Sequence, residues 1–178
     1  MEGVFSDIDW KKDNTISARV IRFSLSAHLN KKIPNAEERG SYRNAYRHTL
    51  WQATITKEFN SVVAIAYGNL HESNTKNSIN LKKIKGIDEA DRNVDLLNNI
   101  TGRQIGRENS DLTDRELAFK VLDYFKNEGL YTAEKNKDGT YRVVKTKLTQ
   151  KQYDKAIRAL KRTDENGRTP GEEGFIEK

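Results

Sequence analysis

Apolar residues recur at helical spacing in stretch after stretch of this chain, and each stretch is closed by a helix-breaking signal. Residues 14–30 place Ile16, Val20, Phe23 and Ala27 on one face, with Asn14 or Thr15 as cap, before Pro34 breaks the pattern. Ser41 caps a second helix over about 42–55. A third, over about 57–70, is expected to bury Phe59, Val62, Val63, Ala66, Tyr67 and Leu70. Residues 73–86 are polar and read as a long mobile loop. Helical period returns over 87–105 with Ala90, Val94, Leu97 and Ile105, and Gly106 fits a helix end. Thr113 and Glu116 form a capping box before Leu117, Val121 and Phe125, and Gly129 stops that helix. The period then changes. Two short runs flank Asp138-Gly139, a hairpin signal. Thr149 and Gln152 cap a last helix that turns Tyr153, Ile157 and Leu160 inward. The fold class that follows is mainly α (α+β): a helical domain with a small C-terminal β-hairpin and a final basic helix. Residues 1–40 read as a helical support segment, 41–162 as the working domain and 163–178 as a frayed, flexible tail.

With 178 residues the chain can bury one real core. Without cysteine it has no disulfide framework and no thiolate metal site. No apolar run approaches a bilayer span and no secretory signal opens the chain, so export is expected to depend on a larger protein that carries this part at its C-terminal end. The net charge of +6 is concentrated. Residues 135–168 hold eleven Lys or Arg against four acids. Within the last helix, Lys151, Lys155, Arg158 and Arg162 make a continuous basic stripe, the footprint of a polyanion or an acidic protein.

Three separated places hold reactive side chains. Asn44, Arg47, His48 and Trp51 project from one side of the second helix. His71 and Glu72 follow the third. Asp91, Asp95, Asn98, Asn99, Gly102 and Arg103 run along the fourth. Asp, Asn and Gly are poor helix residues, and such a conflict with an otherwise good helical pattern concentrates at functional sites. Gly102 would admit another backbone or a ligand at close range. Set against this, His28 reads as an ordinary histidine, Trp51 as core even where it walls a pocket, and Asn98-Asn99 equally as a satisfied helix kink.

Together these motifs resemble an uncharacterised domain at the C-terminal tips of bacterial polymorphic toxins, including contact-dependent growth inhibition proteins. Its pattern of Asn-x-x-Arg-His-x-x-Trp, His-Glu and Asp-x-x-Asn-Asn-x-x-Gly-Arg matches Asn44, Arg47, His48, Trp51, His71, Glu72, Asp95, Asn98, Asn99, Gly102 and Arg103. The match covers roughly residues 42–145. Leu97 departs from it, standing where the pattern has a polar residue or histidine. The resemblance implies a toxin that acts in the cytoplasm of a rival cell and is neutralised by a cognate immunity protein.

The chemistry must come from the residues. A metal-independent ribonuclease acting on tRNA would use His48 and His71 as acid and base. Arg47 and Arg103 would hold phosphate, with Glu72 beside them. Trp51 would stack a base, Asn44, Asp95, Asn98 and Asn99 would contact substrate, and Lys151, Lys155, Arg158 and Arg162 would hold the RNA backbone. No cofactor is expected, and a host activator such as elongation factor Tu is an open partner. A metal-assisted hydrolase of nucleic acid or phospholipid would instead draw on His48, His71, Glu72, Asp91 and Asp95, without zinc-type spacing. A membrane-active toxin, or a basic stripe that only meets the immunity protein, completes the alternatives.

Overall fold

The computed structural model describes residues 9–29, 38–71 and 81–176, with the side chains of 69–71 left aside. Among the described residues the order is α1 (Ile16–Ser26), α2 (Tyr42–Glu58), α3 (Ser61–His71), α4 (Ile87–Glu108), α5 (Asp114–Asn127), β1 (Leu130–Lys135), β2 (Tyr141–Thr146) and α6 (Gln150–Leu160). This is the mainly helical fold with one antiparallel hairpin that the sequence pattern leads one to expect. Local chemistry starts the helices where the capping residues stand. Thr15 accepts from the Ala18 N–H, Ser41 from the Asn44 N–H, and Thr113 and Thr149 close complete capping boxes.

α2 is the hub. It packs against α1, α3, α4, α5 and β1. It is buried nearly all round, with Ala45, Tyr46, Leu50, Trp51, Ala53 and Ile55 in the main core and Asn44, His48, Thr49, Gln52, Thr54 and Thr56 equally enclosed. A helix covered on every side carries no clean amphipathic stripe. Its principal partner is α4. A Cβ on Gly102 would lie 2.3 Å from the Thr49 carbonyl oxygen, and one on Gly106 would lie 2.3 Å from that of Ala53. The two glycines, one turn apart, let the helix backbones touch. Gly106 therefore does not end α4, which continues to Glu108. Matched contacts from Asn44 with Asp91 to Ala53 with Gly106 climb both helices together, so α2 and α4 run parallel.

Several expectations change. α3 turns Ala64 and Gly68 inward, while Phe59 (60% exposed), Val62 (75%) and Tyr67 (52%) face solvent and Ala66 is exposed as well. Gly68 and Ala64 lie at the close contact with α2 and α4, and Val63 packs half-buried beside them. The stretch 81–86, expected to be mobile, is built into the sheet edge. Ile84 exchanges backbone hydrogen bonds with Tyr141 at 2.9 and 2.7 Å, and the Val143 N–H donates to the Leu81 carbonyl at 3.0 Å. Ile84 joins Ala90, Val94 and Val143 in a second, smaller core between α4 and the hairpin. Residues 73–80 lie outside the described residues.

α1 contributes Val20, Phe23 and Ala27 to the main core. Residues 163–176, expected to fray, fold back on α1. The buried Asp164 carboxylate accepts from the N–H groups of Asn166, Arg168 and Ile176 and shapes this loop. The buried Arg22 guanidinium donates to the carbonyls of Trp10 (2.6 Å), Asp13 (2.7 Å) and Asn166 (2.8 Å) and to Asn14 Oδ1 (2.9 Å). Burial first, and then the neighbouring Arg168, pull its pKa down to about 10.

Candidate functional site

The polar faces of α2 and α4 meet in one buried seam. Asn44 is its centre. Its side-chain amide donates to Asp91 Oδ1 (2.9 Å) and Asp95 Oδ1 (2.8 Å), which stand one turn apart on α4. Its oxygen accepts from Arg47 Nη2 at 2.8 Å. Arg47 also donates to Glu38 Oε2 at 2.9 Å, and Arg43 pairs with the other oxygen of Glu38. The Gly40 N–H donates to Asp91 Oδ1 at 2.6 Å. One turn along α2, His48 Nε2 lies 3.6 Å from Asp95 Oδ1, an ionic contact when the imidazole is protonated. The next turn brings Gln52, whose Oε1 accepts from Arg103 Nη1 at 2.9 Å. Asn44, His48 and Gln52 thus line up at every fourth residue along Asp91, Asp95 and Arg103.

Burial sets the electrostatics. Asp91 is 3% exposed, and desolvation raises its pKa, against the opposing pull of the Gly40 N–H and of Arg39 and Arg47. Burial lowers the pKa of Arg47, which Asp95 and Asp91 offset in part, and that of Arg103. Because the folded-state pKa of Asp91 is raised, its ionisation costs stability. That cost is absent below the unfolded-state pKa and is fully present above the folded-state one. Asp91→Asn is therefore expected to be more stable than the natural chain at neutral pH. The gain should shrink between neutral and acid pH, as the pH falls through the raised folded-state pKa of Asp91 and the natural residue takes up its proton. Urea unfolding at neutral and acid pH checks this; a gain that grows with acidity would contradict it.

The other sequence-selected residues divide. Trp51 is core: it is 3% exposed, its N–H donates to Ser17 Oγ at 3.2 Å, and its ring meets His48 edge-on. It is not placed to stack a base. Asn98 is wholly buried and serves the hairpin. It donates to the Tyr131 carbonyl (2.9 Å) and accepts from the Tyr131 N–H (3.0 Å), acting as a one-residue strand on the free edge of β1. Asn99 is buried beside Gly68 of α3, and its Oδ1, like Gln52 Nε2, has no hydrogen-bond partner among the described residues. His71 is the last residue of α3, one turn beyond Gly68, with its side chain outside the description, and Glu72 lies outside the described residues altogether. Lys151, Lys155 and Arg158 are exposed on α6 and Arg162 just beyond its end, and α6 packs on α5 and α1, away from the seam.

Sequence reading missed Glu38 and Gln52. Gln52 could have been found, since it continues the spacing of Asn44 and His48. Glu38 carries no such signal, because its pairing with Arg43 and Arg47 exists only in the folded chain. Among the described residues, no group of three or more His, Asp or Glu is placed to hold a metal ion. Chemically, the arrangement offers an imidazole backed by a carboxylate, with a half-buried guanidinium one turn away. Arg47 and Asn44 are spent on fixing the two aspartates.

No curated protein and no solved structure matches the chain. Residues 14–129, more than half of its length, match the family described as a domain of unknown function, DUF6973, and the chain belongs to that family.

Proposed function

We propose that this chain is an antibacterial toxin domain that cleaves RNA, with tRNA as its principal target and a cognate immunity protein as its antidote. One observation carries the reaction type: the His48–Asp95 contact of 3.6 Å inside the polar seam. Asp95 orients the imidazole and stabilises its protonated form. His48 takes the proton of a ribose 2′-hydroxyl, whose oxygen attacks the adjacent phosphorus. The departing 5′-oxygen needs a proton from a second acid, for which His71 at the end of α3 is the candidate. Arg103 offsets the charge that builds on the phosphate oxygens. Arg47 and Asn44, expected from the sequence to touch substrate, act in this reading as positioning residues for Asp91 and Asp95. The toxin role itself rests on the resemblance of the three motifs. A requirement for a host factor such as elongation factor Tu is testable by adding it to the purified protein.

A second reading is favoured by the complete burial of Asp95. Here the seam only fixes the register of α2 on α4, and the toxic chemistry lies elsewhere. One experiment separates the two. The wild-type chain, His48→Gln and Asp95→Asn are expressed from a tight promoter, and total RNA is run on a denaturing gel through growth arrest. The purified proteins are melted in parallel. Discrete tRNA fragments from the wild type, and none from a folded His48→Gln, are expected. Arrest with intact RNA sinks the ribonuclease reading. Cleavage that survives in His48→Gln, with only a lowered melting temperature, leaves the seam structural. Cleavage abolished by a chelator would turn attention to metal-assisted hydrolysis.

A further inference from the structure

We propose that β2 and the outer face of α6 form a continuous track for single-stranded nucleic acid, leading from the C-terminal helix to the α2–α4 seam. The choice of polymer rests on the RNA reading above; the surface stands on its own residues. Lys151, Lys155, Arg158 and Arg162 are all exposed, and among the described residues none of them makes an ion pair or a side-chain hydrogen bond. Asp154, the acid within this stripe, is engaged by Gln150 at 2.8 Å. The stripe spans about 16 Å at the helical rise, the length of about five stacked nucleotides.

The stripe does not stop at the helix start. Lys145 and Lys147 are exposed on β2 and its continuation, and the chain passes from them through the buried Leu148 to Thr149, the cap of α6. The Lys145 ammonium sits between two partly exposed rings, 5.8 Å from the centre of Tyr124 and 5.9 Å from that of Tyr131. Aromatic faces interleaved with cations are what a single strand needs: rings for bases to stack on and charges for phosphates. An acidic polypeptide would use the charges and leave the rings idle. That contrast selects nucleic acid as the occupant.

The hairpin also supplies the connection that α6 lacks. It packs on α4 and runs directly into α6. Tyr131 is held through its backbone by Asn98, three residues along α4 from Asp95. A strand lying over Tyr131 is thereby delivered beside the seam.

The test uses the full chain carrying His48→Gln, so that the probe is not degraded, and a fluorescein-labelled oligouridylate of about 12 nucleotides, within the usual site size. Anisotropy is measured over a range of salt. The expected result is binding whose logarithm falls linearly with log salt. It should weaken at least tenfold on Lys151→Glu, Lys155→Glu, Arg158→Glu and Arg162→Glu together, with a shallower salt slope. Tyr124→Leu with Tyr131→Leu, which keeps apolar packing but removes the π faces, should weaken it several-fold in a protein whose circular dichroism is unchanged. No binding to the parent protein, or binding that ignores charge reversal, overturns the track. So does polyglutamate competing as well as the RNA while the tyrosine changes have no effect, which would mark an acidic-protein surface. The failures are separable. Oligouridylate binding without any cleavage by the wild-type chain removes the ribonuclease reading and keeps the track. Cleavage with binding unmoved by charge reversal does the opposite.

Discussion

Gly102→Ala and Gly106→Ala together are expected to remove a large share of the stability of the fold. Each new methyl would stand 2.3 Å from a backbone carbonyl oxygen of α2. A side chain in the way could rotate aside, but these carbonyls belong to a helix held by its other neighbours. Alanine in a helix interior regains about 1 kcal/mol over glycine. Overpacking that moves backbone costs about 3 kcal/mol per site. The net loss for the pair is then about 4 kcal/mol, a large share of a typical margin of roughly 5–15 kcal/mol. Urea unfolding of the purified variant reads it directly. Gly86→Ala is the control: its Cβ meets nothing within 4 Å, and the midpoint should barely move. A double variant as stable as the natural chain would mean that the helices do not touch there.

Asn44→Leu ranks next. It keeps the approximate volume but deletes two hydrogen bonds to Asp91 and Asp95 and the acceptor for Arg47. Two enclosed carboxylates then face each other without their shared donor. The expected loss is about 3 kcal/mol, because a buried charge left without its partner bears its full desolvation cost. The loss should shrink at acid pH, where protonation of Asp91 removes one of the two charges. A cycle with Asp91→Asn should show strong non-additivity. Additive effects would mean that the two residues do not act through one network.

Local signals were readable because local chemistry decides them. Ser41, Thr113 and Thr149 cap the helices that follow them, and Gly139 in the hairpin turn has a positive φ of 86°. Gly102 was readable for a similar reason, since glycine where a helix gains nothing from it points to a close approach. Gly106, one turn on, reads as a terminus because the same residue type serves both purposes. What stayed hidden depends on distant partners. Ile84 gives no strand pattern until Tyr141 is beside it. α3 is largely apolar, but it buries Ala64 and Gly68 fully and Val63 in part while Val62 and Tyr67 face solvent, and no periodicity reports that. Asn98 and Trp51 looked like site residues because polarity and aromaticity do not say which neighbour a side chain serves. Asn98 serves a strand edge and Trp51 the core.

The Arg22 cluster has a mechanical consequence. It ties residues 10–14 and residue 166 to the same side of α1, so the two ends of the described chain are knotted together on one helix. Tension applied to either end loads this knot before it reaches the α2–α4 contact. Were such a chain drawn end-first through a narrow pore, the bonds to the Arg22 guanidinium and the Asp164 carboxylate would take the load before the close helix contact at Gly102 and Gly106.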